Sequence, residues 1–444
     1  MRSSQLAVLA LGAVLAPLSG ALAQPGTVLP NMRPYDQTGV NVFEPRKDTA
    51  LDQGPALKWG VGFTQQFQAL DHENNNPDDV AARRLIQIQS GFNLAQANLM
   101  LDAQLAPGVR VNLTTYLSTR HHNETWVKGG YVQVDDASFP GVPALDRIMD
   151  NVTVKMGHFE INYGDAHFRR TDGGHAMYNP FVGNLIMDSF TTEIGAEVYA
   201  HAGPLMAMVG VTGGEIQGGS TVPLEAGTPN RDARAPSFLG KLAYDQQFTP
   251  DLRARLAGSV YTTTSSARNT LYGGDRTGSR FYLVLEPTTA TASANFTSGR
   301  INPGLTDQIT AVQVNPFVKF RGLELFGTIE QAQGRAFNED VRRSWTQLAG
   351  DVIYRFLPRE QAYVGVHYNT VTGPLAGPVV AGRIPAEGQE VTIDRFEIGA
   401  GWYTLKNLLL KGSYVQQNYR DFPATDIRNG GRFSGIMIEG VLAF

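Results

Sequence analysis

Residues 436–444 read IMIEGVLAF. Ile436, Ile438, Gly440, Leu442 and Phe444 alternate with Met437, Glu439 and Val441. Successive side chains of a β-strand point to opposite faces, so this period marks a strand with one apolar face. A soluble edge strand this apolar, left uncovered, would aggregate. The same period runs back through the chain to Pro55. Leu57, Trp59, Val61, Phe63 and Phe67 oppose Lys58, Thr64, Gln66 and Gln68. Leu99, Leu101, Ala103 and Leu105 oppose Asn98, Asp102 and Gln104, and Val109, Val111 and Leu113 oppose Arg110, Asn112 and Thr114. Leu252, Ala254, Leu256 and Val260 oppose Arg253, Arg255 and Ser259. Leu348, Val352, Tyr354 and Phe356 oppose Gln347, Asp351 and Arg355, and Phe396, Ile398, Ala400 and Trp402 oppose Arg395 and Glu397. Period alone does not separate a sandwich, whose apolar faces turn inward, from a membrane barrel, whose apolar face meets lipid. Arginines repeated on the second face favour the barrel, where they line water.

Composition agrees. Of 444 residues 18% are charged, below the roughly 25% of soluble domains, and the net charge is -4. No apolar run reaches the roughly 20 residues a transmembrane helix needs. In barrel strands apolar and polar residues cancel along the sequence. No linker divides the chain, so one large all-β domain is expected: a transmembrane antiparallel β-barrel. The balanced charge excludes a nucleic-acid partner. The absence of cysteine excludes a disulfide framework and thiolate metal sites, and no cofactor is implied.

Residues 1–23 read as a signal peptide: Arg2, an apolar stretch from Leu6 to Leu18, and Ala21-Leu22-Ala23 before Gln24. Residues 24–56, with Pro25, Pro30, Pro34, Pro45 and Pro55, form a periplasmic tail or a segment tucked into the barrel mouth. Residues 57–444 are the barrel. Short turns at Pro107-Gly108, Gly203-Pro204, Pro250-Asp251, Arg321-Gly322, Leu357-Pro358 and Lys406-Asn407 alternate with long polar connections, as periplasmic turns and surface loops should. Two connections break the pattern: 121–125 is short and 136–150 is long. Allowing them, the strands number about 16. Arg280–Leu285 reads as a further strand inside the longest loop, and pairing it near Ala292–Phe296 would make about 18.

The connection at about 164–189 holds Asp165, His167, Arg169, Arg170, Asp172 and His175, then Met177, Tyr178, Phe181, Val182, Leu185, Ile186 and Met187. The apolar part suits a segment buried against a wall. The expectation is a constriction in which Arg169 and Arg170 attract anions while Asp165 and Asp172 hold them in place. A solvated surface loop is the plain alternative. The expected lumen lining is basic at Lys58, Arg110, Lys155, Lys241, Arg253, Arg255, Arg355, Arg395 and Lys411. It is acidic at Asp102, Glu324, Glu330, Asp351, Glu397 and Glu439. The modest basic excess predicts weak anion preference, less whatever cross-strand ion pairs neutralise. Trp59, Trp126, Trp345 and Trp402 are candidates for interfacial girdles. The run from Asp71 to Asp79 could hold divalent cations that bridge lipopolysaccharide, or be a hydrated loop. None of the eight histidines lies in a nucleophile motif. Asp165, His167 and His175 form the one acid–base or metal candidate, and His121-His122 point to opposite faces if extended. The expectation is therefore not an enzyme, with a lipid- or peptide-hydrolysing barrel as the alternative.

The last ten residues resemble the C-terminal signal that the barrel-assembly machinery reads in outer-membrane proteins, with Leu442 and Phe444 at its apolar places. Residues 152–164, VTVKMGHFEINYG, are similar to a strand of the phosphate-selective porin O and P type, with Gly157, Phe159, Tyr163 and Gly164 at the matching places. The stretch 57–444 resembles the porin superfamily as a whole. In trimeric 16-stranded porins the third loop folds into the barrel, where 164–189 falls here. The resemblance implies a water-filled channel for passive diffusion of small hydrophilic solutes. It also implies a homotrimer among the lipids and lipopolysaccharide of a Gram-negative outer membrane. This lumen departs from the O and P type, whose pore carries a dense basic ladder. The alternative is an 18-stranded substrate-specific or polysaccharide-export channel with an extra hairpin in 265–307.

Overall fold

A computed structural model describes residues 32–45, 55–75, 83–121, 123–136, 147–171, 175–219 and 234–444. The expected signal peptide, Asp78-Asp79, His122 and Asp172 lie outside them. The sheet has 17 hydrogen-bonded strands; setting aside the two-residue stretch Gly91–Phe92 leaves 16 in the barrel wall. In chain order these are β1 (Ala56–Glu73), β2 (Gln96–Ala106), β3 (Val109–Leu117), β4 (Trp126–Val134), β5 (Val152–Glu160), β6 (Thr192–Ala202), β7 (Leu205–Thr212) and β8 (Ser237–Thr249). They continue as β9 (Leu252–Thr263), β10 (Gln308–Phe320), β11 (Leu323–Arg335), β12 (Arg343–Phe356), β13 (Ala362–Ala376), β14 (Glu387–Leu405), β15 (Leu408–Arg420) and β16 (Arg432–Ala443). Each pairs antiparallel with its sequence neighbours, and β1 pairs with both β2 and β16, which closes the cylinder.

The alternation read from the sequence is the inside–outside pattern of the wall. On β1, Leu57, Trp59 and Phe63 are exposed while Thr64, Gln66 and Gln68 are buried. Leu256, Val260, Leu348, Val352, Ile398, Ile436 and Ile438 extend the same apolar exterior around the barrel. So large an exposed apolar surface is foreign to soluble monomers. A closed barrel leaves no strand edge and can therefore cross lipid with its backbone satisfied. The protein is a barrel of the outer membrane. Trp59, Trp126 and Trp402 are exposed on this surface. Trp345 is not: it is 1% exposed. It shares the parity of Gln347 and therefore turns inward, over Gly373, where a Cβ would lie 2.3 Å from the indole.

The short turns share one end of the barrel, where Phe444 also lies. Its backbone N–H donates to Val61 (3.1 Å), its carbonyl accepts from Val61 (2.9 Å), and its ring meets Trp59 edge to face. The long connections L1 (74–95), L3 (161–191) and L5 (264–307) occupy the other end; the long connection between β4 and β5 is the exception, since its ends Asp135 and Asn151 bond to Gly108 and His201 at the short-turn end. The 18-strand alternative fails at 280–285. Arg280, Leu283 and Leu285 have φ of 79°, 59° and 52°, which no strand accommodates. The run is apolar because L5 dives into the lumen. Phe281, Val284 and Leu285 pack there with Val182, Ile186 and Met187 of L3 against Val371, Val391, Ile393 and Val415 of β13 to β15. Each such side chain contributes about 1.5–3 kcal/mol on burial.

Candidate functional site

Among the described residues the lumen is narrowed by L3, L5 and residues 32–45, with Leu85 and Ile88 of L1 packed against the same core. L3 enters at Gly164, whose φ of +70° makes the turn and whose missing Cβ would meet the Gln313 side chain at 1.8 Å. The Gly164 N–H donates to Ser259 Oγ (3.0 Å) and the Asp165 N–H to Asn315 Oδ1 (2.8 Å). From there the charged side chains point to different strands of the wall or to the loops beside them. Asp165 pairs with Lys241 on β8 (2.8 Å) and Arg255 on β9 (2.7 Å). His167 contacts Glu160 (2.5 Å) and Asn162 (3.0 Å). Arg169 pairs with Glu324 on β11 (2.7 Å) and approaches Asp351 on β12 (3.5 Å). Arg170 pairs with Asp188 of L3 (2.6 Å) and Asp275 of L5 (3.1 Å). His175 opens a single 3-10 turn and lies 5.6 Å from the Tyr178 ring.

The arginines are therefore held by wall and loop carboxylates, not by Asp165. Consecutive residues of a loop bending across a lumen project toward different strands, and a buried charge left unpaired is strongly destabilising. The expected picture of Asp165 as their partner is corrected on that ground.

Lumen-facing residues of the wall fasten these segments. Lys411 donates to the carbonyls of Ala176, Asn179 and Phe181 at 2.9, 2.8 and 2.8 Å and faces Glu439 at 3.0 Å. Arg395 donates to the carbonyls of Asn184 in L3 and Gly299 in L5 (3.0 Å) and lies 3.7 Å from Glu397. Arg280 of L5 pairs with Glu439 at 2.6 Å. Others join wall strands or support the cavity described below: Arg355–Glu324 (2.8 Å), Arg253–Asp245 (2.6 Å), His367–Asp351 (2.6 Å) and Arg110–Asp135. Lys155 lies 3.8 Å from Glu197 and over the rings of Tyr131 and Phe159.

Residues 32–45 lie inside the short-turn end, the mouth placement that the sequence offered beside a free tail. Asp36 caps the turn Gln37–Gly39 by accepting from the Thr38 N–H (2.9 Å), and the Gln37 N–H donates to the Lys406 carbonyl (2.8 Å). Arg33 donates to the carbonyls of Gly39 and Phe168 (both 2.9 Å) and covers the Tyr178 ring; burial pulls its guanidinium down to about 10. Tyr35 donates to Asp102 (2.6 Å), with Lys58 over its ring at 4.9 Å. Asn41 donates to Glu324 (2.6 Å). Phe43 is packed among Phe168, Phe317 and Phe326. Glu44 reaches Lys241 (2.8 Å), Arg255 (2.7 Å) and the Asn162 amide (2.9 Å). Burial alone would raise the Glu44 and Asp165 carboxyls, but Lys241 and Arg255 outweigh it and hold both below the usual carboxylate range.

Open space remains on the opposite side. A cavity of about 240 Å³ is bounded by Asn112, Lys128, Tyr131 and Lys155 of β3 to β5, by His167 of L3, and by Arg33 and Tyr35. A second, of about 380 Å³, opens near the 203–204 turn beside Gln247 and Arg253. Phe43, Glu44 and His201 border both. Sequence reasoning did not find Phe43 and Glu44, since 24–56 has no periodicity. The available signal was Phe317, a large apolar residue on the lumen face of β10.

No protein-family model matches the chain, and no curated protein matches it. Among solved structures it is similar to OmpT, an outer membrane protein of Vibrio cholerae, in its trimer form: 9% identity over 88% of this chain and 100% of that one, TM-score 0.48. It is similar also to the outer membrane channel DcaP of Acinetobacter baumannii, at 10% identity over 88% and 98% of the two chains, TM-score 0.48. For Pseudomonas putida OprB the values are 10%, 88% and 94%, with a TM-score of 0.46.

Proposed function

We propose that the barrel is a channel for passive diffusion of small hydrophilic solutes, restricted at its periplasmic end by residues 32–45. The observation that carries this is the pair of cavities in series, with Phe43 and Glu44 forming a shared boundary. L3 and L5 pack against the β10–β16 side, and the polar side of β3 to β6 borders the path. A solute there meets Arg33, Lys128 and Lys155 as well as Glu44, Asp135 and Glu160. Those three carboxylates already have partners in Lys241, Arg110 and His167. Glu197 likewise faces Lys155 at 3.8 Å, so the charges around the cavity are largely paired, and the anion preference we propose for it is weak. In this reading the protein works as a homotrimer and is not an enzyme; the pairs His167–Glu160 and His367–Asp351 hold the lumen in shape.

Planar-bilayer recording tests it. The full chain should give small single-channel steps, and deletion of residues 32–45 should enlarge them, with reversal potentials in a KCl gradient displaced toward chloride. Absence of steps from both proteins would overturn the reading.

A further inference from the structure

Water-filled lumens have no use for bare phenylalanine, yet Phe317 and Phe326 face inward from β10 and β11 and Phe168 closes on them from L3. Together they enclose the Phe43 ring, which is 2% exposed. Phe317 meets it edge to face at 5.3 Å and Phe168 at 5.9 Å. Immediately beside this box the next residue, Glu44, places its carboxylate on Lys241, Arg255 and the Asn162 amide. The Lys241 and Arg255 side chains are 0% and 3% exposed. The barrel and L3 thus make a receptor with an aromatic box at one end and a dry cationic fork at the other. Phe43-Glu44 fills it as a ring-plus-carboxylate ligand.

The charge balance makes the site selective. With Glu44 in place, the three carboxylates Glu44, Asp165 and Asp245 face the three cations Lys241, Arg253 and Arg255, because Asp165 stays on Lys241 and Arg255 and Asp245 is shared by the two arginines. Without Glu44 one buried positive charge is uncompensated beside an empty apolar box. That state is unstable, so the receptor holds either the segment or another anion of the same shape. Elsewhere the segment is held by Arg33 over the Tyr178 ring and by Asn41 on Glu324, contacts that belong to the segment's two flanks and not to the receptor, and by outer polar contacts such as Tyr35–Asp102 and Gln37–Lys406.

We propose that this receptor binds small solutes that carry a carboxylate next to an apolar ring, and that such a solute opens the barrel by displacing Phe43-Glu44. The opening step rests on the channel reading above; the binding step does not. A tethered ligand competes at a high effective concentration, so the solute acts only above a threshold.

The chain has no cysteine, so Thr38→Cys, on an exposed turn, accepts a single spin label on the full-length protein. Benzoate should mobilise the label in a saturable way. Benzamide, which lacks the charge, and acetate, which lacks the ring, should not do so at equal concentration. Glu44→Gln lies on the tethered segment, away from the barrel's own framework. It should lower the half-effective benzoate concentration about tenfold or more, because the competitor is weakened. In bilayers the same benzoate range should raise open probability. A label that stays immobile throughout, responds equally to all three probes, or ignores Glu44→Gln overturns the proposal. A mobilised label with no current in any state overturns the channel reading and the opening step and leaves the binding site standing.

Discussion

Lys411 fastens the described part of the L3 tip at three points. Its ammonium, with 0% of the side chain exposed, donates to three carbonyls of the tip. Lys411→Met keeps the stem and removes the donor. Each buried acceptor left bare loses about 1–3 kcal/mol. Three give an upper range of about 3–9 kcal/mol, which water entering the tip would reduce to about 3–5 kcal/mol. Glu439 keeps Arg280 at 2.6 Å, so no wall charge is orphaned. The loss therefore falls on the tip and not on the barrel, whose strand ladder Lys411's head does not touch. At about 1.4 kcal/mol per decade, the displaced tip gains two to three orders of magnitude in population, roughly. Amide hydrogen exchange over 175–187 should accelerate by that factor while exchange in β13 to β16 stays slow. Single-channel traces should flicker, and the barrel's melting temperature should hold. Unchanged exchange at 175–187 in the Met variant would refute the claim that Lys411 fixes the tip.

Acid should release residues 32–45. Glu44 and Asp165 titrate lower in the folded protein than their ordinary values, about 4.3 for Glu and about 3.9 for Asp. Their stabilisation is thus complete above those values and is lost as pH falls below them toward the folded pKa. A spin label at position 38 should be immobile at pH 7 and mobile in strong acid; equal mobility at both would contradict this. Gly373→Ala puts a Cβ 2.3 Å from the Trp345 ring and should destabilise by about 1–3 kcal/mol. The test is a red shift of buried tryptophan emission together with a lower melting temperature, and the idea fails if both stay put. Phe444→Asp removes the ring that lies 5.4 Å from Trp59. Insertion in cells should fall sharply while refolding in detergent survives; equal loss in both would assign Phe444 to stability and not to assembly.

The exterior was legible because lipid imposes one rule on every strand. Leu57, Trp59 and Phe63, or Ile436 and Ile438, had to share a face, and the turns followed from the breaks between such runs. The interior obeys no single rule. Arg280–Leu285 carries strand-like residues, but a short continuous apolar run has no period to distinguish a strand from a buried loop. Arg169 and Arg170 were visible as charges. Their partners were not, since Glu324, Asp351 and Asp275 lie far away in sequence and pairing depends on where L3 crosses the lumen. Trp345 was misassigned although its parity with Gln347 was available.

That error also contains a usable signal. Ile309, Ala311 and Phe317 on β10, Trp345 and Ile353 on β12, Val371 on β13, and Val391 and Ile393 on β14 are apolar residues on the lumen face. Strands facing bulk water on that side would be polar there. Apolar residues on both faces mean that something solid lies against the inside of the wall, and L3 and L5 supply it. β3 to β5, by contrast, present Arg110, Asn112, Thr114, Lys128, Gln133 and Lys155 inward. The two sides of the wall therefore differ in sequence before any loop is placed, although Tyr131 and Phe159 also turn inward, and the difference supports the path proposed above. It runs along the polar half, away from Arg169 and Arg170, whose charges are met by Glu324 and Asp188. In the proposed channel, selectivity along it rests on the charges that border the cavity, Arg33, Lys128 and Lys155 with Glu44, Asp135 and Glu160, and on whatever occupies the fork of Lys241 and Arg255.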